Sequence, residues 1–203
     1  MVWSDLLAGN ARFIWGRTQP RPVVAQRAEL ASAQHPVAIV LACADSRVAP
    51  ELLFDQSLGD LFVVRTAGNI AAPIALGSLE YAVEHLGAHV LIVLGHEQCG
   101  AVKAALSGEK MPSPNLQAIV DRIAPAFEKP RVCFEGDELV SRCVASNVRQ
   151  RLHDLWANSA ILREHAQRLE LTAYTAVYDL RTGQIRPLEP VAPAAMAQAT
   201  ATP

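Results

Sequence analysis

The sequence contains no apolar run approaching the roughly 20 residues that a membrane-spanning helix requires, so a bilayer span is set aside. Neither Gly-x-Gly-x-x-Gly nor Gly-x-x-x-x-Gly-Lys-Ser/Thr occurs. Without such a loop to cradle phosphates, a metal-free nucleotide-binding α/β protein has little support. Charge of one sign is also lacking: 18 Lys+Arg against 20 Asp+Glu leave a formal net charge of −2. That balance gives no electrostatic reason for a nucleic-acid or anionic-membrane partner, and a small neutral or singly charged substrate fits better. Cysteine is sparse. Cys43, Cys99, Cys133 and Cys143 are too few for a disulfide scaffold in 203 residues. The start, Met-Val-Trp-Ser-Asp, shows no basic stretch followed by an apolar one, and the expected compartment is the cytoplasm. No internal repeat is present.

About half of the chain, 51%, is hydrophobic, enough to bury one good-sized core. The expectation is one α/β domain over 1–189, with an N-terminal helical arm (1–35), a core (36–189) and a disordered tail (190–203) rich in Ala, Thr and Pro. The arm reads as two helices, Ser4 to Ile14 and Val23 to Gln34, split by Thr18-Gln19-Pro20-Arg21-Pro22. Its Trp3, Phe13 and Trp15 call for a packing surface, either a second subunit or the chain's own domain. Strands are expected at Pro36–Ala42, Leu61–Arg65, Ala88–Leu94 and Leu171–Tyr178, with a short antiparallel strand at Gln184–Pro187. Helices fall between them. Ser46 is a candidate cap for a helix at Pro50–Leu58, Asn115 for one running to Phe127, and Ser159 for the helix after a long one starting at Asp137. Pro73 to Gly87 is the clearest amphipathic helix, with Leu76, Leu79, Val83 and Leu86 on one face. Gly68-Asn69 suits a tight turn with positive φ. The alternation predicts a mostly parallel sheet of about four strands plus an antiparallel edge strand, flanked by helices.

Two stretches carry the chemistry. Cys43-Ala44-Asp45-Ser46-Arg47 follows one apolar, β-branched run and His96-Glu97-Gln98-Cys99-Gly100 follows another, so both belong at the carboxyl ends of buried strands. Ligands of open α/β sheets bind there, most readily where strand order reverses. His-x-x-Cys at the start of a helix can aim both side chains at one ion, with a third ligand from the neighbouring strand. Catalytic zinc takes three protein ligands and leaves one position open. A buried cysteine ordinarily behaves as a small hydrophobe, and that reading is kept for Cys133 and Cys143. His35, His85, His89, His153 and His165 read as surface or helix residues. Asp45 and Arg47 could form an ordinary surface ion pair, but their placement two and four residues beyond Cys43 argues for more.

Four blocks together resemble the β-class carbonic anhydrases: Cys43-Ala44-Asp45-Ser46-Arg47-Val48, Phe62-Val63-Val64-Arg65-Thr66-Ala67-Gly68-Asn69, Ser78-Leu79-Glu80-Tyr81-Ala82-Val83 and Gly95-His96-Glu97-Gln98-Cys99-Gly100. Order and spacing match over Leu6 to Ile185. The resemblance implies Zn2+ held by Cys43, His96 and Cys99, with Asp45 and Arg47 as a dyad beside it. It also implies substrate-region roles for Gln34, Phe62, Ala67, Tyr81 and the Gly100 N–H. Pockets of the family are built across a dimer interface, so Gln34, Phe62 and Tyr81 are expected to serve the neighbouring subunit of a homodimer or dimer of dimers. Val40 stands where one bicarbonate-regulated form has Trp, so that regulation is not expected. Glu97-Gln98 replaces the commoner small residues between His and Cys, and Ala44 replaces Ser; neither change removes a ligand.

The implied reaction is reversible hydration of CO2 to bicarbonate and a proton by attack of zinc-bound hydroxide. Two thiolates cancel the charge of the ion, so activity is expected to rise towards alkaline pH. Paired with Arg47, Asp45 would orient the attacking oxygen; unpaired, it could itself become a fourth ligand and close the site. Two other readings use the same residues. One is hydrolysis of carbonyl sulfide or carbon disulfide, and the other a zinc-stabilised binding or sensor domain without turnover.

Overall fold

The computed structural model describes residues 2–127 and 134–189, so Cys133 and the expected tail fall outside the described residues. Five strands form one sheet: β1 (Ala38–Cys43), β2 (Leu61–Thr66), β3 (Val90–His96), β4 (Thr172–Tyr178) and β5 (Ile185–Pro187). Their order is β2-β1-β3-β4-β5, with the first four parallel and β5 antiparallel to β4, as expected. Every residue of β1 and β3 is buried. Parallel strands covered on both faces must be apolar throughout, which explains their unbroken hydrophobic runs.

Successive side chains alternate between two layers. Ile39, Leu41, Cys43, Leu91 and Val93 face a larger layer. Its helices are α4 (Pro73–Leu86), α5 (Gly100–Ser107), α6 (Pro114–Ile123), α7 (Gly136–Asn158) and α8 (Ala160–Gln167). Ala38, Val40, Ala42, Ile92 and Leu94 face a smaller layer with Leu6 of α1 (Val2–Ile14) and Leu53 of α3 (Pro50–Leu53). The remaining helix, α2 (Val23–Glu29), buries none of its residues.

Of the two packing surfaces open to the arm, α1 takes its own sheet: Trp3 stacks on Tyr174 with centroids 4.9 Å apart and meets Phe54 edge-on at 6.2 Å. Asn10 ties it down further, its amide donating to the carbonyls of Leu53 and Gly183 and its oxygen accepting from the Ile185 N–H. Trp15 alone of the three aromatics stays largely exposed. Ser46 does not cap α3, whose N-cap is Ala49 with no side-chain bond. Ser113 rather than Asn115 caps α6, accepting from the Leu116 N–H at 3.2 Å, because Pro114 occupies the first helical position. α6 stops at Ile123, and a 3-10 turn carries the chain to Phe127. Ser159 does cap α8 (Leu162 N–H, 3.1 Å). α4 ends as expected at Gly87, in the left-handed conformation at φ 65°.

β3 runs two residues further than its hydrophobic pattern indicates. Gly95 pairs with Val177 and His96 with Tyr178. Gly95 is required there because a Cβ at this position would collide with the Val148 side chain of α7. The strand therefore delivers His96 at its last position.

Candidate metal centre

After β1 the chain goes outward to β2, then returns to the other side of β1 as β3. Strand order thus reverses between β1 and β3, which pair with Ala42 beside Leu94. The crevice beyond their carboxyl ends is the place an open α/β sheet offers a ligand. Cys43 ends β1, His96 ends β3, and Cys99 is the N-cap of α5. Among the described residues these three form the one group able to hold a metal ion, with ligand atoms all within 4.8 Å of one another and all three side chains buried.

The donor set fits zinc. The Nδ1 of His96 lies 2.9 Å from the Glu97 carbonyl, and only a protonated nitrogen can bond there. In a neutral imidazole that bond leaves the lone pair on Nε2, which is buried and has no hydrogen-bond partner. An imidazole held in this tautomer by a carbonyl is the usual arrangement of a metal-ligating histidine. Asp45 Oδ2 stands 3.8 Å from that Nε2. One tight turn fits the ligand pair together, Gln98 adopting φ 57° between His96 and Cys99.

The Cys43 and Cys99 sulfurs are joined by a hydrogen bond. A hydrogen bond from the Cys99 thiol pulls Cys43 down to about 4 against the opposing effect of burial, helped by the N–H groups of Asp45 and Gly68. The same bond and burial push Cys99 up, opposed by the backbone N–H groups of Val102 and Ala101. A cation placed among them would displace the Cys99 thiol proton, as thiolate ligation requires. Gly68, at φ 67° in the turn Ala67–Asn69, donates its N–H to Cys43 Sγ at 3.4 Å.

The Asp45 carboxylate is gripped by a two-pronged bond from Arg47. Arg47 Nε donates to Oδ1 at 2.9 Å and Nη2 to Oδ2 at 2.7 Å, with the Arg47 backbone N–H adding 3.0 Å to Oδ1. The guanidinium hydrogen bonds hold the Asp45 carboxyl well below the usual carboxylate range. Arg47 in turn is raised above its ordinary value by that carboxylate.

Of the pocket residues implied by resemblance, Ala67 and Gly100 lie beside the centre, each next to a residue that contacts or supplies a ligand. Gln34, Phe62 and Tyr81 are not brought to it. Gln34 precedes β1, whose first residue already stands roughly 17 Å along the strand from Cys43. Phe62 pairs with Ile39, four positions short of Cys43, and its ring contacts Tyr81 at 6.3 Å.

Two residues that brace the site were not among the expected site residues, although Arg65 lies within one of the four blocks. Arg65 donates to the Cys43 carbonyl at 3.0 Å and to the Asp45 carbonyl at 2.5 Å, fixing the backbone between ligand and dyad. Asn147 of α7, buried, donates to the Gly68 carbonyl at 3.1 Å and so holds the turn that reaches Cys43.

Comparison with known proteins agrees with this geometry. The carbonic anhydrase family model matches residues 38–185. Carbonic anhydrase 2 of Mycobacterium tuberculosis is 40% identical over 187 residues, covering 90% of this chain and 89% of that protein. A carbonic anhydrase of Mycolicibacterium smegmatis is 40% identical over 188 residues, covering 91% and 90%. Among solved structures, a β-carbonic anhydrase of the fungal pathogen Aspergillus fumigatus superposes with a TM-score of 0.79 at 26% identity, covering 98% of this chain and 96% of its own. A tetrameric β-carbonic anhydrase of Sordaria macrospora shares the fold at a TM-score of 0.74 and 23% identity, covering 93% and 98%. On this match across nearly the whole chain, with the cysteine-histidine-cysteine cluster at the switch point of its sheet, the chain belongs to the β-class carbonic anhydrases.

Proposed function

We propose that this chain catalyses the reversible hydration of CO2 to bicarbonate and a proton, with Cys43, His96 and Cys99 as zinc ligands. The observation that carries the reading is a three-ligand cluster whose nearest carboxylate, Asp45, is gripped by Arg47. Bound zinc supplies the Lewis acidity that makes water a nucleophile near neutral pH. Asp45 accepts a hydrogen bond from the attacking water and turns its lone pair towards CO2. Arg47 keeps the carboxylate in that role through two parallel donors, a geometry lysine cannot reproduce. Ala67 and the Gly100 N–H line the substrate region.

The working unit in this proposal is a homodimer or a dimer of dimers. β2 stands at the sheet edge with Leu61 to Val64 only half-buried, and Gln34, Phe62 and Tyr81 lie away from their own ligands. They serve the partner's site instead. A tetrameric fold relative in Sordaria macrospora supports the larger assembly. No helix among the described residues is long and apolar enough to cross a membrane. We place the chain in the cytoplasm because ligation needs both thiols reduced.

The test is stopped-flow CO2 hydration across pH 6 to 9, run beside sulfide release from carbonyl sulfide on the same sample. Hydration that rises with pH and exceeds carbonyl sulfide turnover is expected. A flat profile, or carbonyl sulfide as the better substrate, would count against the proposal.

A further inference from the structure

Glu97 follows the ligand His96 and is anchored through its N–H, its carbonyl and its side chain. Its backbone N–H donates to the Tyr178 carbonyl at 2.8 Å. Its own carbonyl accepts from His96 Nδ1 at 2.9 Å. Its carboxylate Oε1 accepts from Arg186 Nη2 of β5 at 2.6 Å and from Ser141 Oγ of α7 at 3.0 Å. The next residue, Gln98, sits at φ 57°, a left-handed conformation that a side chain other than glycine adopts only at a cost.

These facts combine into one device. The peptide joining Glu97 to Gln98 carries the carbonyl that sets the tautomer and ring direction of His96. Relaxation of Gln98 towards ordinary negative φ would swing that carbonyl away from Nδ1. A side chain pinned from two different elements opposes the swing. We propose that Glu97 is a positioning residue for His96, clamped by Arg186 and Ser141, and that the edge strand β5 thereby tunes metal affinity. The proposal rests on the reading of Cys43, His96 and Cys99 as the zinc site.

The experiment is competition of metal-free full-length protein against a chromophoric zinc chelator, for wild type, Glu97→Ala, Arg186→Ala, the double variant and Glu97→Gln. Outer-shell partners of metal ligands typically contribute about 10- to 100-fold in affinity, and a loss of about 10-fold is expected for Glu97→Ala and for Arg186→Ala. The double variant should be no weaker than Glu97→Ala alone, since both remove one clamp. Glu97→Gln, which keeps an acceptor oxygen for both donors, should restore most of the affinity. The visible spectrum of cobalt-substituted protein should shift in the two alanine variants and return in Glu97→Gln. Melting of the metal-free forms separates a general loss of stability from a change at the metal, and the exposed Arg186 carries the test if Glu97→Ala does not fold. Unchanged zinc affinity in the alanine variants, or losses that multiply in the double variant, would overturn the clamp. Failure of wild type itself to take up zinc would instead remove the reading beneath it.

Discussion

Replacing Gly68 with alanine should damage stability and metal binding together, and its size follows from local geometry. Gly68 sits at φ 67°, and an added Cβ would stand 2.5 Å from Ile123 Cδ1 and 3.2 Å from Ala101 Cβ. The left-handed backbone costs a non-glycine residue roughly 1–2 kcal/mol. Ile123 is completely buried, so its methyl has little room to retreat, and the crowding adds about 1–2 kcal/mol, the lower part of the overpacking range. The sum, about 2–4 kcal/mol, is a large share of the roughly 5–15 kcal/mol that stabilises a typical protein. For a chain of this length a melting temperature moves by about 2–4 °C per kcal/mol, so a fall of about 5–15 °C is expected. The same change shifts the N–H that Gly68 donates to Cys43 Sγ, and zinc affinity should drop by about 10-fold. Gly77, inside α4 with nothing within 4 Å of an added Cβ, is the matched control. Its alanine variant should gain roughly 0.5–1 kcal/mol from helix propensity. Calorimetry on the two variants, with chelator competition on the first, checks both parts. A Gly68→Ala protein that melts and binds zinc like wild type would refute the argument.

Three further outcomes are expected. Arg47→Lys should retain zinc, measured by elemental analysis, while CO2 hydration falls by about 100-fold, the scale of a misplaced catalytic group. Asn147→Leu leaves the buried Gly68 carbonyl without its donor and should cost about 1–3 kcal/mol in chemical denaturation. Removing zinc by chelation should lower the melting temperature by about 8–16 °C relative to protein held at a thousandfold excess over its dissociation constant, since that linkage is worth about 4 kcal/mol. A chelated protein that melts at the holo temperature would place the metal outside the folded core.

The sheet was legible because β1 and β3 are buried on both faces and their sequences carry no polar interruption. The candidate ligand Cys43 was legible for the same reason, closing the β1 run, while His96 and Cys99 follow shortly after the apolar run of β3. Helix ends resolved where one residue decides them, as Gly87 and Ser159 do, and misled where two candidates compete, as Ser113 and Asn115 around Pro114. Arg65 and Asn147 had no periodic signal, since each is a lone polar residue whose partner is a backbone carbonyl brought near only by the fold. The docking of Trp3 was undecided for a related reason. Its partner Tyr174 is 171 positions away in the chain, and no local pattern reports such a contact.

The claim that CO2 hydration depends on zinc held by Cys43, His96 and Cys99 is tested most directly by titrating metal-free protein with zinc while recording hydration and bound metal on the same sample. Turnover should rise in proportion to zinc and level off at one ion per chain, with the Cys43→Ser and Cys99→Ser proteins neither holding the ion tightly nor turning over. Hydration in zinc-free protein, or none at full occupancy, would contradict it.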